Sequence, residues 1–465
     1  MNPLKNFLEP KSIAIVGISQ SPGSLSMLAL ENLLNAGFEG KIYPVNPKGG
    51  EIHAHRVFTN LMEIDDDIDL ALFYLPPMAI PEATRICGQK GVHSVIIVSD
   101  GLEATMANGK TIEQNMMEIA RQWGIRILGP DSMGVVSAES KFTTGFVPLG
   151  PLQEGGFSLI CQTGVLIGAG LAWLISSQRV GISKSIDLAK KCDINEVDCL
   201  EYLLEDPYTR AIGLHIEQVA DGKRFLEVAR RTSLKKPVLV LKAGKSEVGA
   251  RAISSHTGSL AGNDEIYTAA FSQCGLIRVQ DIDELADLAK AFLHLPPMKG
   301  KNLGIVTYSG GWGALASDLC EEFGLSVSNL SEETLQNIRE VTPSWRKITN
   351  PVDIWPPTKL DTSETYRGAI RAVAEDDGVD AILVLAPAII TPKFDVLDGI
   401  LEEVKRWREK PIVTWAVGDM AGMEKTLSLT EHHCLVFPSV KRAIRVLSAN
   451  YFYYNKRLNS TPTYK

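Results

Sequence analysis

No apolar run in this 465-residue chain approaches membrane-spanning length, which argues against a helical membrane protein. Seven cysteines are scattered at 87, 161, 192, 199, 274, 320 and 434, with no C-x-x-C pair and no Cys/His spacing of a zinc site. Neither a structural metal nor a disulfide framework is therefore expected, and reduced thiols in a cytoplasmic protein are. Basic residues are in deficit, 47 against 55 acidic, for a formal net charge of -8. No Lys/Arg cluster or aromatic-basic stripe interrupts that balance, so nucleic acid has no electrostatic footprint here. Two glycine fingerprints are also missing, the G-x-G-x-x-G of nicotinamide folds and the G-x-x-x-x-G-K-[ST] of phosphate loops. The opening MNPLKNFLEPKSIAIVG lacks a signal pattern: its apolar run is short, follows Glu9, Pro10 and Lys11, and reads as a strand.

What is there is ordinary globular material, 45% hydrophobic and 22% charged, long enough for three cores. Short β-branched runs alternate with amphipathic stretches, which predicts parallel sheets covered by helices. The first set of strands is Ser12–Ile18, Lys41–Val45, Leu70–Leu75, Ser94–Ser99 and Arg126–Leu128. A second follows the turn-rich GPLQEGG: Phe157–Cys161, Gly181–Leu188, Ala211–Glu217 and Pro237–Lys242. A third follows HLPPMKGKN, which reads as a linker: Leu303–Tyr308, Ala381–Ala386, Ile412–Ala416 and Cys434–Phe437. SLICQTGVLIGAGLAW and GIVTYSGGWGALASDL both run from a buried strand through a small polar corner into a helix, a weak sign of internal duplication.

Four stretches carry chemistry. In SIAIVGISQSPGS a strand ends at Gly17, and Ser19 and Gly23 precede a helix, so backbone N–H groups and a helix N-terminus face a phosphate-sized gap. A tight turn without ligand fits the same residues. YPVNPKGG puts Asn46, Pro47 and Lys48 after the second strand, on the carboxyl edge where open α/β sheets bind ligands, although Asn-Pro and Gly-Gly are also ordinary turn chemistry. CQTGVLIG places Thr163, Gly164 and Val165 where a helix begins. In ISSHTGSLAGND, His256 stands among small polar residues that bring little apolar surface to bury; it reads as a short loop, held where Asp264 caps the helix EIYTAAFSQC. Ile266, Tyr267, Ala270, Phe271 and Cys274 would line one face of that helix. With no second ligand at metal spacing, His256 is either a solvated loop histidine or a nucleophile whose other ring nitrogen is pinned by an acceptor. Glu217, at the end of RAIGLHIE, is the candidate acceptor, or else a strand-end carboxylate facing water.

In order, SIAIVGIS, YPVNPKGG, ILGPDSMG, CQTGVLIG, LHIE and SSHTGSLAG resemble the α subunit of the nucleoside-diphosphate-forming acyl-CoA synthetases, relatives of succinyl-CoA synthetase, over essentially the whole chain. The resemblance implies an N-terminal Rossmann-like CoA-binding domain (1–145) followed by two flavodoxin-like α/β domains (146–297 and 298–465). It implies His256 as phosphorylated histidine, Glu217 as its orienting carboxylate, Thr163, Gly164 and Val165 at the phosphate site, and Gly17, Ser19, Asn46 and Lys48 in the CoA-binding loops. Departures are Asp131 and Ser132 in ILGPDSMG, where the family has glycine-proline-asparagine-cysteine. IDLAKK stands in place of serine-leucine-glycine-asparagine-lysine, with Ala189 in the run, and Tyr308 and Trp312 stand where smaller residues are usual. If the two aromatics line an acyl pocket they shape the choice of acid; otherwise they pack.

The implied reaction interconverts acyl-CoA, ADP and phosphate with a small carboxylic acid, ATP and CoA, through acyl phosphate and phosphohistidine. No region has the acidic, Mg²⁺-binding character of a nucleotide-grasping domain, so ATP or ADP with Mg²⁺ is expected to be bound mainly by a separate ATP-grasp β subunit. A non-catalytic CoA- or nucleotide-binding regulatory module is the other class that the residues allow.

Overall fold

A computed structural model describes residues 4–107, 109–257, 262–355, 361–390, 395–431 and 433–460. Three sheets organise them, and their strands are numbered here in chain order. The first sheet holds β1 (Ser12–Val16), β2 (Lys41–Val45), β3 (Leu70–Phe73), β4 (Ser94–Ile97) and β5 (Arg126–Leu128), all parallel, in the order β2-β1-β3-β4-β5. Continuous apolar runs form these strands because both faces are covered, and every residue of β1, β3 and β4 is buried.

The second sheet comprises β6 (Val135–Ser137), β7 (Phe142–Thr143), β8 (Glu154–Cys161), β9 (Ile182–Asp187), β10 (Ala211–Ile216), β11 (Val238–Lys242) and β12 (Ile277–Val279). Its order is β7-β6-β9-β8-β10-β11-β12, with β6 antiparallel to both neighbours and the rest parallel. The third comprises β13 (Asn302–Thr307), β14 (Ser326–Val327), β15 (Val352–Asp353), β16 (Ala381–Ala388), β17 (Ile412–Gly418) and β18 (Leu435–Phe437). It runs β14-β13-β16-β17-β18, with β15 also paired to β13. In each of these three sheets the first parallel strand (β1, β8, β13) has the strand that follows it (β2, β9, β14) on one side and a later one (β3, β10, β16) on the other, so the chain reverses its direction of travel there. That is the switch point at which α/β sheets open a crevice.

The expected strands all form, with ends shifted by a few residues. The short strands β6, β7, β12, β14 and β15 were not expected, because two or three residues carry too little periodicity to be read. The helix Leu25–Asn35 starts where Ser24 Oγ accepts the Met27 N–H (3.3 Å) and is followed by Gly37 at φ +82°, the left-handed stop expected of that glycine.

By its contacts the chain divides into two compact units, 1–282 and 283–465, so the first two sheets belong to one body. One apolar cluster runs through both, joining Phe7, Ile13 and Leu72 to Phe142, Ile160 and Leu214. Polar ties cross the same seam: Tyr202 donates to Glu9 Oε1 (2.5 Å) and Asn32 Nδ2 to the Gly145 carbonyl (2.9 Å). The second unit has its own core around Val306, Tyr366, Ile382 and Ile400. Among the described residues no helix is long and apolar enough to cross a membrane. None of the seven cysteines is in a disulfide.

Candidate active site

On the first sheet, β1 ends and the chain turns at Gly17, whose φ is +87° and whose missing Cβ would lie 2.3 Å from the Tyr74 carbonyl oxygen. Only glycine tolerates both that conformation and that approach. Asn46 follows β2 and laces the two loops together: its Nδ2 donates to Ile18 O (2.7 Å) and its Oδ1 accepts the Lys48 N–H (3.0 Å). Ser19 donates its N–H to Ser26 Oγ (2.9 Å), and its own Oγ accepts from Ser21 N (3.1 Å). Gly17, Ser19, Asn46 and Lys48 are thus brought to one carboxyl edge. Asn46 spends both ends of its amide inside the protein, which leaves backbone N–H groups, the helix start at Leu25 and the exposed Lys48 to face a ligand. That donor set fits an anionic, phosphate-bearing molecule.

The second sheet presents a comparable edge. After β8, Gln162 Oε1 accepts the N–H groups of Glu217 (2.8 Å) and Gln218 (3.3 Å), which fastens the end of β10 to the turn at Thr163. A helix begins at Gly164 and runs as a wide π turn over Leu166–Gly170. Val165 is exposed. A Cβ on Gly164 would meet the Met133 side chain at 2.7 Å and Asp187 Oδ2 at 3.6 Å, so the 129–134 loop is folded directly over this turn.

Asp187 joins these loops, and sequence reasoning missed it. The side chain closes β9, is wholly buried, and accepts from Met133 N (2.7 Å) and Ala189 N (3.3 Å). Ser132 Oγ donates to its carbonyl (2.7 Å). The departures Asp131, Ser132 and Ala189 are therefore neighbours in space, and Asp131 (φ +64°) and Ala189 (φ +46°) both hold left-handed backbone. Burial drives the Asp187 carboxyl up to about 7; the two N–H donors oppose this, and the Asp131 and Glu217 charges add to it. A carboxyl raised from its ordinary 3.8 holds an extra proton in the folded state, so its contribution to stability is best below 3.8 and falls as pH rises to about 7. Asp187→Asn should flatten that part of the stability profile. Urea melts of both chains from about pH 4.5 to 8 check it, and parallel curves would refute the assignment.

Two expectations around His256 need correction. The segment carrying it is not a loop up to that residue: the backbone is helical over Glu247–Thr257. Ser246 starts this helix by accepting the Gly249 N–H on Oγ (3.1 Å) and the Ala250 N–H on its carbonyl (2.8 Å), and Ala250 and Ala252 are good helix formers. The His256 side chain and residues 258–261 lie outside the described residues. Nor does Asp264 cap the next helix. Asn263 does, its Oδ1 accepting from Glu265 N (2.7 Å) and Ile266 N (3.3 Å), while Asp264 in the first turn pairs with Arg278 (2.6 Å). Ile266 points to solvent, 69% exposed; Phe271 and Cys274 carry the buried face.

Glu217 is buried. So is His215, two residues before it, whose Nδ1 has no hydrogen-bond partner. Burial first, and then the Lys242 charge, lower its pKa to about 4, so it is neutral at pH 7. Lys242, at the end of β11, was a second residue that sequence reasoning passed over.

In the second unit Tyr308 and Trp312 flank the turn between β13 and the helix Gly310–Glu322. Trp312 meets Tyr308 edge-on at 5.1 Å and Trp415, from β17, at 4.5 Å. The two aromatics do pack, chiefly on one another and on that tryptophan. Among the described residues no group of three His, Cys, Asp or Glu side chains could hold a metal ion.

Three family models cover most of the chain: a CoA binding domain over residues 11–138, a succinyl-CoA ligase like flavodoxin domain over 154–292 and a ligase-CoA domain over 303–458. The chain is 40% identical to the α subunit of acetate–CoA ligase [ADP-forming] I of Pyrococcus furiosus, over 96% of this chain and 97% of that one. Against the acetate–CoA ligase [ADP-forming] of Methanocaldococcus jannaschii the identity is 38%, with 76% of this chain aligned to 49% of that protein. In three dimensions it superposes on an acetyl-coenzyme A synthetase 1 chain of Candidatus Korarchaeum cryptofilum, solved in complex with phosphate and ADP, with a TM-score of 0.92 at 30% identity over the full length of both. Three domain types in this order, on three sheets of one strand order, and a relative matched from end to end lead to one conclusion: the chain belongs to the family of ADP-forming acetate–CoA ligase α subunits.

Proposed function

We propose that the chain performs the acyl-phosphate and phosphohistidine half of an ADP-forming acyl-CoA synthetase, with His256 as nucleophile and Glu217 as its orienting carboxylate. The observation that carries this reading is the bridge from Gln162 to the Glu217 and Gln218 N–H groups. It ties the Thr163–Gly164–Val165 turn to the carboxylate, on the edge from whose next strand the His256 helix departs.

The chemistry runs in three transfers. A phosphate oxygen attacks the acyl-CoA carbonyl carbon, the C–S bond breaks, and CoA leaves as thiol with the phosphate's proton. A ring nitrogen of His256 then attacks phosphorus, the P–O bond to the acyl group breaks, and the carboxylate departs with the electron pair. Finally the terminal oxygen of ADP takes the phosphoryl group and the P–N bond breaks. The protein's part is positioning and charge neutralisation: helix-start N–H groups at 163–165 for phosphoryl oxygens, Glu217 for the second ring nitrogen, and the Gly17, Ser19, Asn46 and Lys48 loops for CoA. ADP and Mg²⁺ are assigned mainly to a separate ATP-grasp β subunit, in keeping with the "subunit alpha" name of the Pyrococcus relative and the greater length of the Methanocaldococcus one, of which 49% is aligned. The three-domain division at 145 and 297 is kept as part of this proposal.

Given acetyl-CoA, orthophosphate and Mg²⁺, the isolated chain should release one CoA thiol and gain one acid-labile phosphoryl group per molecule, then stop until a partner and ADP are supplied. Thiol titration and intact mass read the two events. Continued turnover without a partner would remove the β subunit from the proposal; tight CoA binding with neither event would favour the non-catalytic binding module.

A further inference from the structure

The 129–134 loop is laced to the end of β9 from both sides. Asp187 N donates to Gly134 O (3.0 Å), Lys190 N to Pro130 O (3.4 Å) and Cys192 N to Gly129 O (3.1 Å). In return Met133 N donates to the Asp187 carboxyl and Ser132 Oγ to its carbonyl, 2.7 Å each. Leu188 N donates to Cys161 O (2.8 Å), which brings the end of β8 into the same knot. The Met133 side chain and Asp187 Oδ2 both press on Gly164, 2.7 and 3.6 Å from where a Cβ would stand. Asp131, Ala189 and Lys191 hold left-handed backbone around this point, at φ +64°, +46° and +53°. Residues other than glycine keep that conformation where their surroundings impose it, and such strain gathers at working sites.

No Lys, Arg or His among the described residues pairs with the Asp187 carboxyl. The two lysines that follow it are engaged elsewhere, Lys190 by Glu103 and Lys191 by Glu196 (3.0 Å) and the Gln218 carbonyl (2.6 Å). From Gly164 to Ser176 the helix carries no titratable side chain. The charges that face Asp187 are acidic, Asp131 from the loop and Glu217 from the end of β10. Cys161, its partner across the sheet, is a neutral thiol, held so by burial, and buried His215 on β10 adds no charge at pH 7. A wholly buried carboxyl with two N–H donors and no cation is held at least cost as the neutral acid.

Resting on the phosphate role proposed for Thr163, Gly164 and Val165, we propose that Asp187 is the positioning residue of that turn: its neutral carboxyl fixes Met133 over Gly164 so that the helix-start N–H groups face an anion, and its ionised form opposes that anion. Oδ2 lies directly beside the helix start, and a charge in so buried a place is little screened. Anion binding and ionisation of Asp187 therefore work against each other. With the carboxyl at about 7, anion affinity is full below that pH and falls as pH rises through it.

The test uses the full chain, native, Asp187→Asn and Asp187→Ala, with sulfate as the probe because its own charge is constant near neutrality. Sulfate binding is followed by calorimetry from about pH 5.5 to 8.5, and phosphoenzyme formation from acetyl phosphate with Mg²⁺ by intact mass; melting temperatures check folding. Native affinity should fall about tenfold across that range. The Asn variant keeps the shape and an acceptor for Met133 N but no charge, and should change by less than about twofold. The Ala variant releases Met133 and should bind about tenfold more weakly at every pH. An equal fall in native and Asn chains, an Ala variant that binds like the native chain at low pH, or no sulfate binding by the native chain overturns the positioning role. A pH effect that depends on Asp187 in a chain that never gains a phosphoryl group would instead overturn the phosphohistidine reading and leave the positioning role standing.

Discussion

His256→Ala should gain no mass from acetyl phosphate and Mg²⁺ under conditions in which the native chain gains one acid-labile phosphoryl group. The effect is all-or-none because the nucleophile cannot be replaced in place: the neighbouring candidates are hydroxyls, whose phosphate esters survive acid, and His215 is buried and neutral. Glu217→Gln tests the second part of the assignment. It keeps the shape and the backbone N–H bond to Gln162 but removes the charge that stabilises the imidazolium character developing in the transfer, so phosphorylation should slow by about 10²-fold without being abolished. Intact mass against time, with an acid-lability check, measures both. An acid-labile phosphoryl group on the alanine variant would sink the nucleophile assignment outright.

Gly17→Ala should unfold or severely weaken the first sheet's ligand edge. Two penalties coincide there, a left-handed φ of +87° and a Cβ 2.3 Å from a backbone oxygen of the next strand, which has no side-chain freedom with which to yield. Left-handed strain costs about 1–2 kcal/mol and forced overpacking about 1–3, a combined loss that a single domain feels strongly. Gly23, in the same loop, is the control. Its φ is +75°, but a Cβ there meets nothing within 4 Å, so Gly23→Ala carries the strain alone. The first variant should lose CoA binding by calorimetry and melt many degrees lower; the second should bind and melt only slightly earlier. Similar behaviour of the two would mean that the Tyr74 carbonyl is free to move.

Much of this arrangement was legible in the chain because its strands are continuous apolar runs ending in small residues. Those endings place Gly17, Asn46, Thr163 and Glu217 at strand ends, on the carboxyl edges of their sheets. The start of the helix at Gly164 was legible for the same reason. What failed was local competition between near-equal choices. Asn263 and Asp264 are both good caps, and Arg278, fourteen residues on, draws Asp264 away. The small polar residues before His256 suit a helix end as well as a loop, and the cap at Ser246 decides for the helix. Asp187 and Lys242 were invisible because their interest lies in partners distant in sequence: Met133 and Gly164 for one, the Tyr267 ring for the other.

The seam between the first two sheets has a consequence for how an acyl group travels. Shared apolar packing and the Tyr202–Glu9 and Asn32–Gly145 bonds make residues 1–282 one body, so the Gly17 turn and the Gly164 turn stand a fixed distance apart. Under the proposed chemistry, exchange between thioester and acyl phosphate takes place within that one body and needs no hinge between its two sheets.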